Sequence, residues 1–436
     1  MIRSGNLPRR LLLLALLVAA GSCSGDKSAN PAVVHVALFK SPSSTALERL
    51  VPEFEKSTGI QVKLELLPYQ DLKDRVEQQF LAGGSEYDVI MADCIWIPSF
   101  AARNFLAVVD TTVEQAKIYD FQDVLPALDD YLGRYPAHGP RYGVPFMSNV
   151  HMMAYRASVV SPVAQRLGIA LPGTTRDSAW TWDQYLKIAS EITRARQGSA
   201  SKPYGTSLQA RAGAWLIYEW YSELFGFVDD SSARLTGLPR FDAKAAKAMD
   251  YYASLYQAAP KEALTWGHEE ETSAMCSGRT AMDATSNVEL AAALLDTACA
   301  PGGLSFAYPP KGASGRSSPD MGGYGLLLSR FSKQQRAASS FLLWASGPAT
   351  HLAIVHAGGS PIRASETKDA ETLRKYPYLR FYNELIQDAV FRARIPQWPD
   401  LEDVLSRELT AVLRHQQTSA AATTKVAAWV SANVHP

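Results

Sequence analysis

The chain has 436 residues, with 43 Lys+Arg against 43 Asp+Glu, 47% apolar residues and 20% charged ones. That composition excludes disordered and fibrous classes and leaves room for two or three compact units, or one fold with two lobes. Zero net charge argues against a nucleic-acid binder, which needs a lysine- and arginine-rich face to neutralise phosphates.

At the N-terminus, Arg3, Arg9 and Arg10 precede an unbroken apolar run over residues 11–20, followed by Gly21, Ser22 and Cys23. Ten residues at ~1.5 Å each give roughly 15 Å of helix, half of the ~30 Å bilayer core, so the run reads as an export signal rather than a membrane span. Ala20-Gly21-Ser22-Cys23 resembles the bacterial lipobox, in which the cysteine is acylated and becomes the mature N-terminus. Removal of residues 1–22 takes away those three arginines and no acid, which leaves a faintly acidic mature chain on a short tether, residues 23–32. In an oxidising compartment two of the three later cysteines can pair. Cys276 and Cys299, close in sequence and each near a helix-like segment, are the favoured bridge; Cys94 is a buried free thiol or a pocket wall.

Residues 33–39 form a short β-rich run, and Thr45 with Glu48 makes a capping box for a helix that buries Leu47, Leu50, Val51 and Phe54 and stops at Gly59. A second strand over 62–67 leads to a helix with Leu72, Val76, Phe80 and Leu81 on one face, ended by Gly83-Gly84. A third strand follows over 87–92. This β-α-β-α-β order implies a parallel, right-handed, doubly wound sheet, whose ligands bind beyond the carboxyl ends of the strands, at residues 40–44, 68–69 and 93–96. Beyond it come a strand over 150–155, a helix opened by the Thr181/Gln184 capping box, helices over 211–225 and 243–257, and an apolar strand over 324–328. The last hundred residues are mostly helical, so the two parts of the chain are wound through each other.

Several blocks together resemble the family 1 extracellular solute-binding proteins of bacterial ABC sugar importers, in particular the maltose- and trehalose-type branch. Tyr87-Asp88-Val89-Ile90-Met91-Ala92-Asp93-Cys94-Ile95-Trp96 is similar to that family's strand followed by Asp-x-x-Trp. Tyr142-Gly143-Val144-Pro145-Phe146 resembles its first interlobe crossing, with Asn149 and Tyr155 at matching offsets, and Thr181-Trp182-Asp183 its Thr-Trp-acid helix start. Cys276-Ser277-Gly278-Arg279-Thr280-Ala281-Met282 resembles the Gly-Lys-x-Ala-Met segment, Gly322-Gly323-Tyr324-Gly325 the Gly-Gly-aromatic-Gly turn, and Ser360-Pro361-Ile362-Arg363 the late Pro-Val-Arg turn.

The resemblance implies a two-lobe α/β periplasmic-binding-protein fold, each lobe a mostly parallel sheet flanked by helices. Residues 33–145 with 281–329 would form the N-terminal lobe and 146–280 with 330–436 the C-terminal one, with crossings near Phe146, near Met282 and just after Ser329. It implies a monomeric, lipid-anchored binding protein that closes on a di- or oligosaccharide and delivers it to the permease subunits, with no cofactor, metal or nucleic acid.

A sugar site needs carboxylates and amides at the sugar's edge and aromatic plates against its C–H faces. Asp93 is the leading ligand residue, at a strand end, with an N-cap as its bland alternative. Lys40 lies at another strand end. Trp96 is a plate or a packing residue, Asn149 a hydroxyl-binding amide or a turn residue, and Tyr324 a ligand neighbour in a glycine turn. Trp215, Tyr218 and Trp220 share one aromatic helix, and at least one of them belongs to the core. Trp266 and Trp398 sit in loop-like contexts that favour exposure.

The sequence departs from the family in two places. Ala212, Gly213 and Ala214 stand where a Glu is common, and Ile395 stands where an Arg precedes the Pro-x-x-Pro resembled by Pro396 and Pro399; Arg394 is expected to substitute. Catalytic motifs fare poorly: His268-Glu269 is followed by Thr272 rather than a second His, and no Gly-x-Ser-x-Gly elbow occurs. An exported enzyme acting on glycans is the alternative, with Glu269, Glu270 and Glu271 its sole inviting cluster, and an adhesin on the same fold is a third reading.

Overall fold

Strand β1 (Val33–Phe39) sits inside the sheet, paired in parallel with β2 (Gln61–Leu67) on one side and β3 (Val89–Asp93) on the other. The computed structural model describes residues 31–434 other than 197, 198, 200, 229, 297, 298 and 300–302. The signal segment, Cys23 and nearly all of the tether lie outside the described residues. From Ala32 onward the chain clusters as one compact unit, and among the described residues no helix is long and apolar enough to cross a membrane.

The helix after β1 runs over Pro42–Thr58, starting three residues before the expected cap. Ser41 accepts from the Ser44 amide and Ser44 reciprocates, while Pro42 supplies a preset helical φ, so a capping box is complete before Thr45 is reached. Gly59, in the left-handed region at φ 71°, ends the helix as expected. The helix Tyr69–Leu81 buries Leu72, Val76 and Phe80 against the other face of the sheet.

Parallel pairing extends less far than expected. Strands β4 (Gly143–Tyr155), β5 (Met282–Asn287), β6 (Ser305–Ala307), β7 (Asp320–Leu328) and β8 (Val390–Phe391) complete the order β2-β1-β3-β7-β4-β5, with β6 on β4 and β8 on β7. The pairs β3/β7, β4/β7, β4/β5 and β4/β6 are antiparallel; only β7/β8 joins the first three strands in running parallel. The reason lies in β4, which pairs with β7 up to Val150 and then with β5 and β6 from His151 onward. One 13-residue strand therefore joins both pairings and continues past Phe146, where its register on β7 shifts by a bulge.

The expected division of the chain is crossed at two places. The helices Gln335–Ala345 and Pro348–His356 pack on β1 and on the helix Pro42–Thr58, sharing a core of Val34, Val36, Phe54, Phe341, Leu342 and Ile354. Lys311, conversely, bonds to Trp180 and Trp182 beside the helix Trp182–Ala195. The helices Ala243–Gln257 and Trp398–Leu413 pack around the helix Ala214–Phe227. The Thr181/Gln184 capping box is present as read, and Cys276 is disulfide-bonded to Cys299.

Candidate functional site

Side chains from six elements and from the segment after β8 meet where β3, β4 and β7 run side by side. Asp93 ends β3, Asn149 lies where β4 is about to change partners, and Tyr324 lies on β7 behind Gly322 and Gly323. Tyr69 opens its helix, Trp215 and Tyr218 project from the first turns of the helix Ala214–Phe227, His268 opens the helix His268–Cys276, and Arg392 follows β8. Together they line an inner recess of ≈ 20 Å³. It shares Tyr69, Ala214, Trp215 and His268 as walls with an outer cavity of ≈ 480 Å³, lined in addition by Phe39, Lys40, Gln70, Arg211, Glu269 and Glu270. Gly323 permits the close approach of β7 to β4: at φ 142° a Cβ there would stand 2.5 Å from the Met147 carbonyl oxygen.

The floor of the recess is a buried guanidinium among three carboxyls. Arg392 lies 3.7 Å from Asp93, 3.3 Å from Asp320 and 4.0 Å from Glu402, and its plane covers Tyr218 at 4.9 Å. Burial opposes its charge, but Asp93 and Asp320 more than offset that and keep it ionised. Burial also pushes Asp320 up to about 8 and Glu402 up to about 7, against the pull of Arg392. Near neutral pH, then, Asp320 and Glu402 are wholly or partly protonated, and Asp93 is the third carboxyl facing the guanidinium. Tyr69 donates from its hydroxyl to Asp93 at 3.0 Å, and Trp398 donates from Nε1 to Glu402 at 3.1 Å. Burial holds His268 down to about 3, helped by Arg211 and Arg392, and lowers His151 as well. The site thus presents the neutral imidazole of His268, aromatic faces and a compensated ion cluster.

Of the residues expected from sequence, Asp93, Asn149, Trp215 and Tyr324 are brought together, and Lys40 stands at the outer wall. Asp93 is not the cap of the following helix, which runs over Ile97–Ala102 with Trp96 at its N-cap position and no side-chain cap. Trp96 packs 5.1 Å behind the Tyr69 ring and takes the packing role. Tyr324 stacks on Phe39 at 5.3 Å and 15°. Cys94 is a buried free thiol whose Sγ donates to Asp93 at 3.1 Å.

Three more of the expected residues line neither cavity. Trp266 is buried away from both cavities, with Arg279 over its ring at 5.2 Å. Trp398 is fully buried at the start of a helix, where its Nε1 donates to Glu402. Arg394 donates to the carbonyls of Asp130 and Arg134 and lies over Tyr131; Arg392, two residues earlier, occupies the site. Sequence reasoning missed Arg392, Asp320, Glu402 and His268. The signal for Arg392 was its place directly after an apolar dipeptide; His268 was weighed only as a metal or catalytic residue.

This arrangement, a polar recess ringed by aromatics between interleaved halves of an α/β body, is that of a ligand-binding protein. The family model for bacterial extracellular solute-binding proteins matches residues 40–351, and the chain belongs to that family. A probable ABC transporter-binding protein of Deinococcus radiodurans is 24% identical over 353 residues, covering 77% of each chain. Among solved structures, an ABC transporter solute-binding protein of Agrobacterium radiobacter K84 in complex with ribitol is similar with a TM-score of 0.79 at 21% identity, covering 91% of this chain and 98% of that one. Maltose-bound MalE3 of T. maritima is similar with a TM-score of 0.79 at 20% identity, covering 92% and 99%. The fold is the two-lobe periplasmic-binding-protein fold. The protein is an extracellular solute-binding protein, and its family is one of binding proteins rather than enzymes.

Proposed function

We propose that the cleft captures an uncharged polyhydroxyl ligand, a sugar or sugar alcohol, and that the body of that ligand, a di- or oligosaccharide included, lies in the outer cavity. The observation that carries this reading is the compensated charge at the centre. Arg392 is already matched by Asp93, so neither an anion nor a cation finds an unpaired partner there, whereas Asn149, His268 and the aromatic rings suit hydroxyls and C–H faces. The ribitol and maltose carried by the two structural neighbours belong to this chemical class. In the same reading Cys23 carries the lipid anchor, and a monomer works beside the membrane.

Calorimetric titration with ribitol, mannitol, maltose, an amino acid and a sugar phosphate tests it. Saturable heat is expected from a neutral member alone; binding of the amino acid or the phosphate would overturn the reading. Trp215, half-buried between Tyr69 at 5.3 Å and His268 at 4.2 Å, supplies a plate at the neck of the recess. Trp215→Ala is expected to weaken binding of that neutral ligand about 30-fold, the equivalent of ~2 kcal/mol of lost ring burial, with a smaller effect on melting temperature. An unchanged dissociation constant would place the ligand elsewhere.

A further inference from the structure

We infer that the inner recess takes a single hydroxyl group of the ligand, read by His268 as hydrogen-bond donor and Asn149 as acceptor; this rests on the polyhydroxyl reading above. The recess measures ≈ 20 Å³, and about 10–15 Å³ is needed to hold one water. It therefore admits one oxygen and not a ring, so the body of the ligand lies in the ≈ 480 Å³ outer cavity beyond Tyr69 and Trp215.

Three polar atoms of recess-lining residues are removed from water and have no hydrogen-bond partner; Arg392 Nε faces the Asp320 carboxyl at 3.3 Å, which leaves Asn149 Oδ1 and His268 Nδ1 with nothing opposite them. Buried polar atoms are ordinarily paired, so both await something. Their roles follow from the network behind them. Asn287 accepts the Glu289 amide with Oδ1 at 2.8 Å, which directs its Nδ2 to His268 Nε2 at 3.4 Å. An amide nitrogen is a donor, so Nε2 of His268 accepts and Nδ1 carries the proton. Burial beside Arg211 and Arg392 keeps the ring neutral, so this tautomer persists at physiological pH.

The recess thus offers one N–H donor and one C=O acceptor. A hydroxyl satisfies both, accepting from His268 and donating to Asn149. A carboxylate has no proton for Asn149, an ammonium no lone pair for His268, and an ether oxygen leaves Asn149 unpaired. Sites of this kind reject analogues lacking the hydroxyl by factors of up to ~10⁴–10⁵.

The test uses whichever of ribitol, mannitol or maltose binds the wild type most tightly, together with its monodeoxy analogues. His268→Phe and Asn149→Leu are each expected to weaken the parent ligand ~100-fold. His268→Asn, whose amide N–H replaces Nδ1–H, should stay within ~10-fold, a rescue that a purely structural role would not give. One deoxy analogue should lose ~100-fold on the wild type yet bind His268→Phe as well as the parent does. Thermal melts establish that the variants are folded, and His268→Asn with Asn149→Ser serves if the apolar variants are not. Wild-type binding that survives both apolar variants, or deoxy penalties identical in wild type and His268→Phe, overturns the hydroxyl recess alone. Failure of all three ligands on the wild type overturns the polyhydroxyl reading and the recess with it.

Discussion

Arg392→Met is expected to abolish ligand binding and to destabilise the protein by about 3–5 kcal/mol, the usual cost of removing one partner from a buried ion cluster. The guanidinium is almost fully buried and is the cation shared by Asp93, Asp320 and Glu402. Without it Asp93 is left buried and uncompensated, and Asp320 and Glu402 lose the charge that opposes their protonation. The penalty should therefore be larger at pH 8 than at pH 6. Tyr218 also loses the cation covering its ring and Asp93 its counter-charge, so the recess loses its floor. Arg392→Lys, which keeps the charge but not the planar fork, should fall between wild type and Met. Urea denaturation and calorimetry at both pH values provide the check. A variant of wild-type stability, or one that still binds, would show that the cluster does not organise the site.

The second large effect concerns pH. Behind the cleft, Glu219, Glu223, Glu271 and Asp283 are buried together, and Gln209 donates to Glu219 and Glu271 at 2.5 Å each while Tyr252 donates to Glu219 at 3.0 Å. Burial pushes Glu219 up to about 8 and Asp283 up to about 7, and raises Glu223 and Glu271 as well; no cation figures among the causes. Unfolded, these groups titrate near ~4. A carboxyl raised on folding contributes stability that is complete below its unfolded pKa and is lost as pH rises through its folded one. Stability should accordingly fall between about pH 4 and pH 8, at up to ~1.4 kcal/mol per pH unit for each proton involved. At the acid end the trend is limited by groups such as Asp369, which hydrogen bonds from Thr372 and His356 hold down to about 2. Melting temperature is therefore expected to be several degrees higher at pH 5.5 than at pH 8.5. Glu219→Gln should raise it at pH 8.5 and flatten the profile. A profile that rises toward pH 8.5, or that is the same in Glu219→Gln, would contradict the protonated cluster.

The first three strands were legible because alternating apolar runs, helical stripes and glycine stops agree with one another there. β4 was read as a motif plus a short strand because every residue from Gly143 to Tyr155 is buried, and a strand buried on both faces carries no alternation. Asp93, Asn149 and Tyr324, which line one recess, could be nominated because strand ends and glycine turns announce themselves locally. Arg394 and Arg392 could not be separated, because a two-residue choice just beyond a short strand depends on register, which partner strands fix. Trp398 looked exposed because Pro399 suggests a loop, yet proline is at home in the first turn of a helix, and here the tryptophan is sealed beneath it. His268 owes its role to Asn287 and Glu289, some twenty residues away and recruited by folding.

A crystal structure of the protein with its best-binding neutral polyhydroxyl ligand tests the central claim most directly. One ligand hydroxyl is expected in the recess, within hydrogen-bond distance of both Asn149 Oδ1 and His268 Nδ1, with the ligand body against Trp215 and Tyr69. A ligand seated outside this cleft, or one whose charged group pairs with Arg392 in place of Asp93, would contradict it.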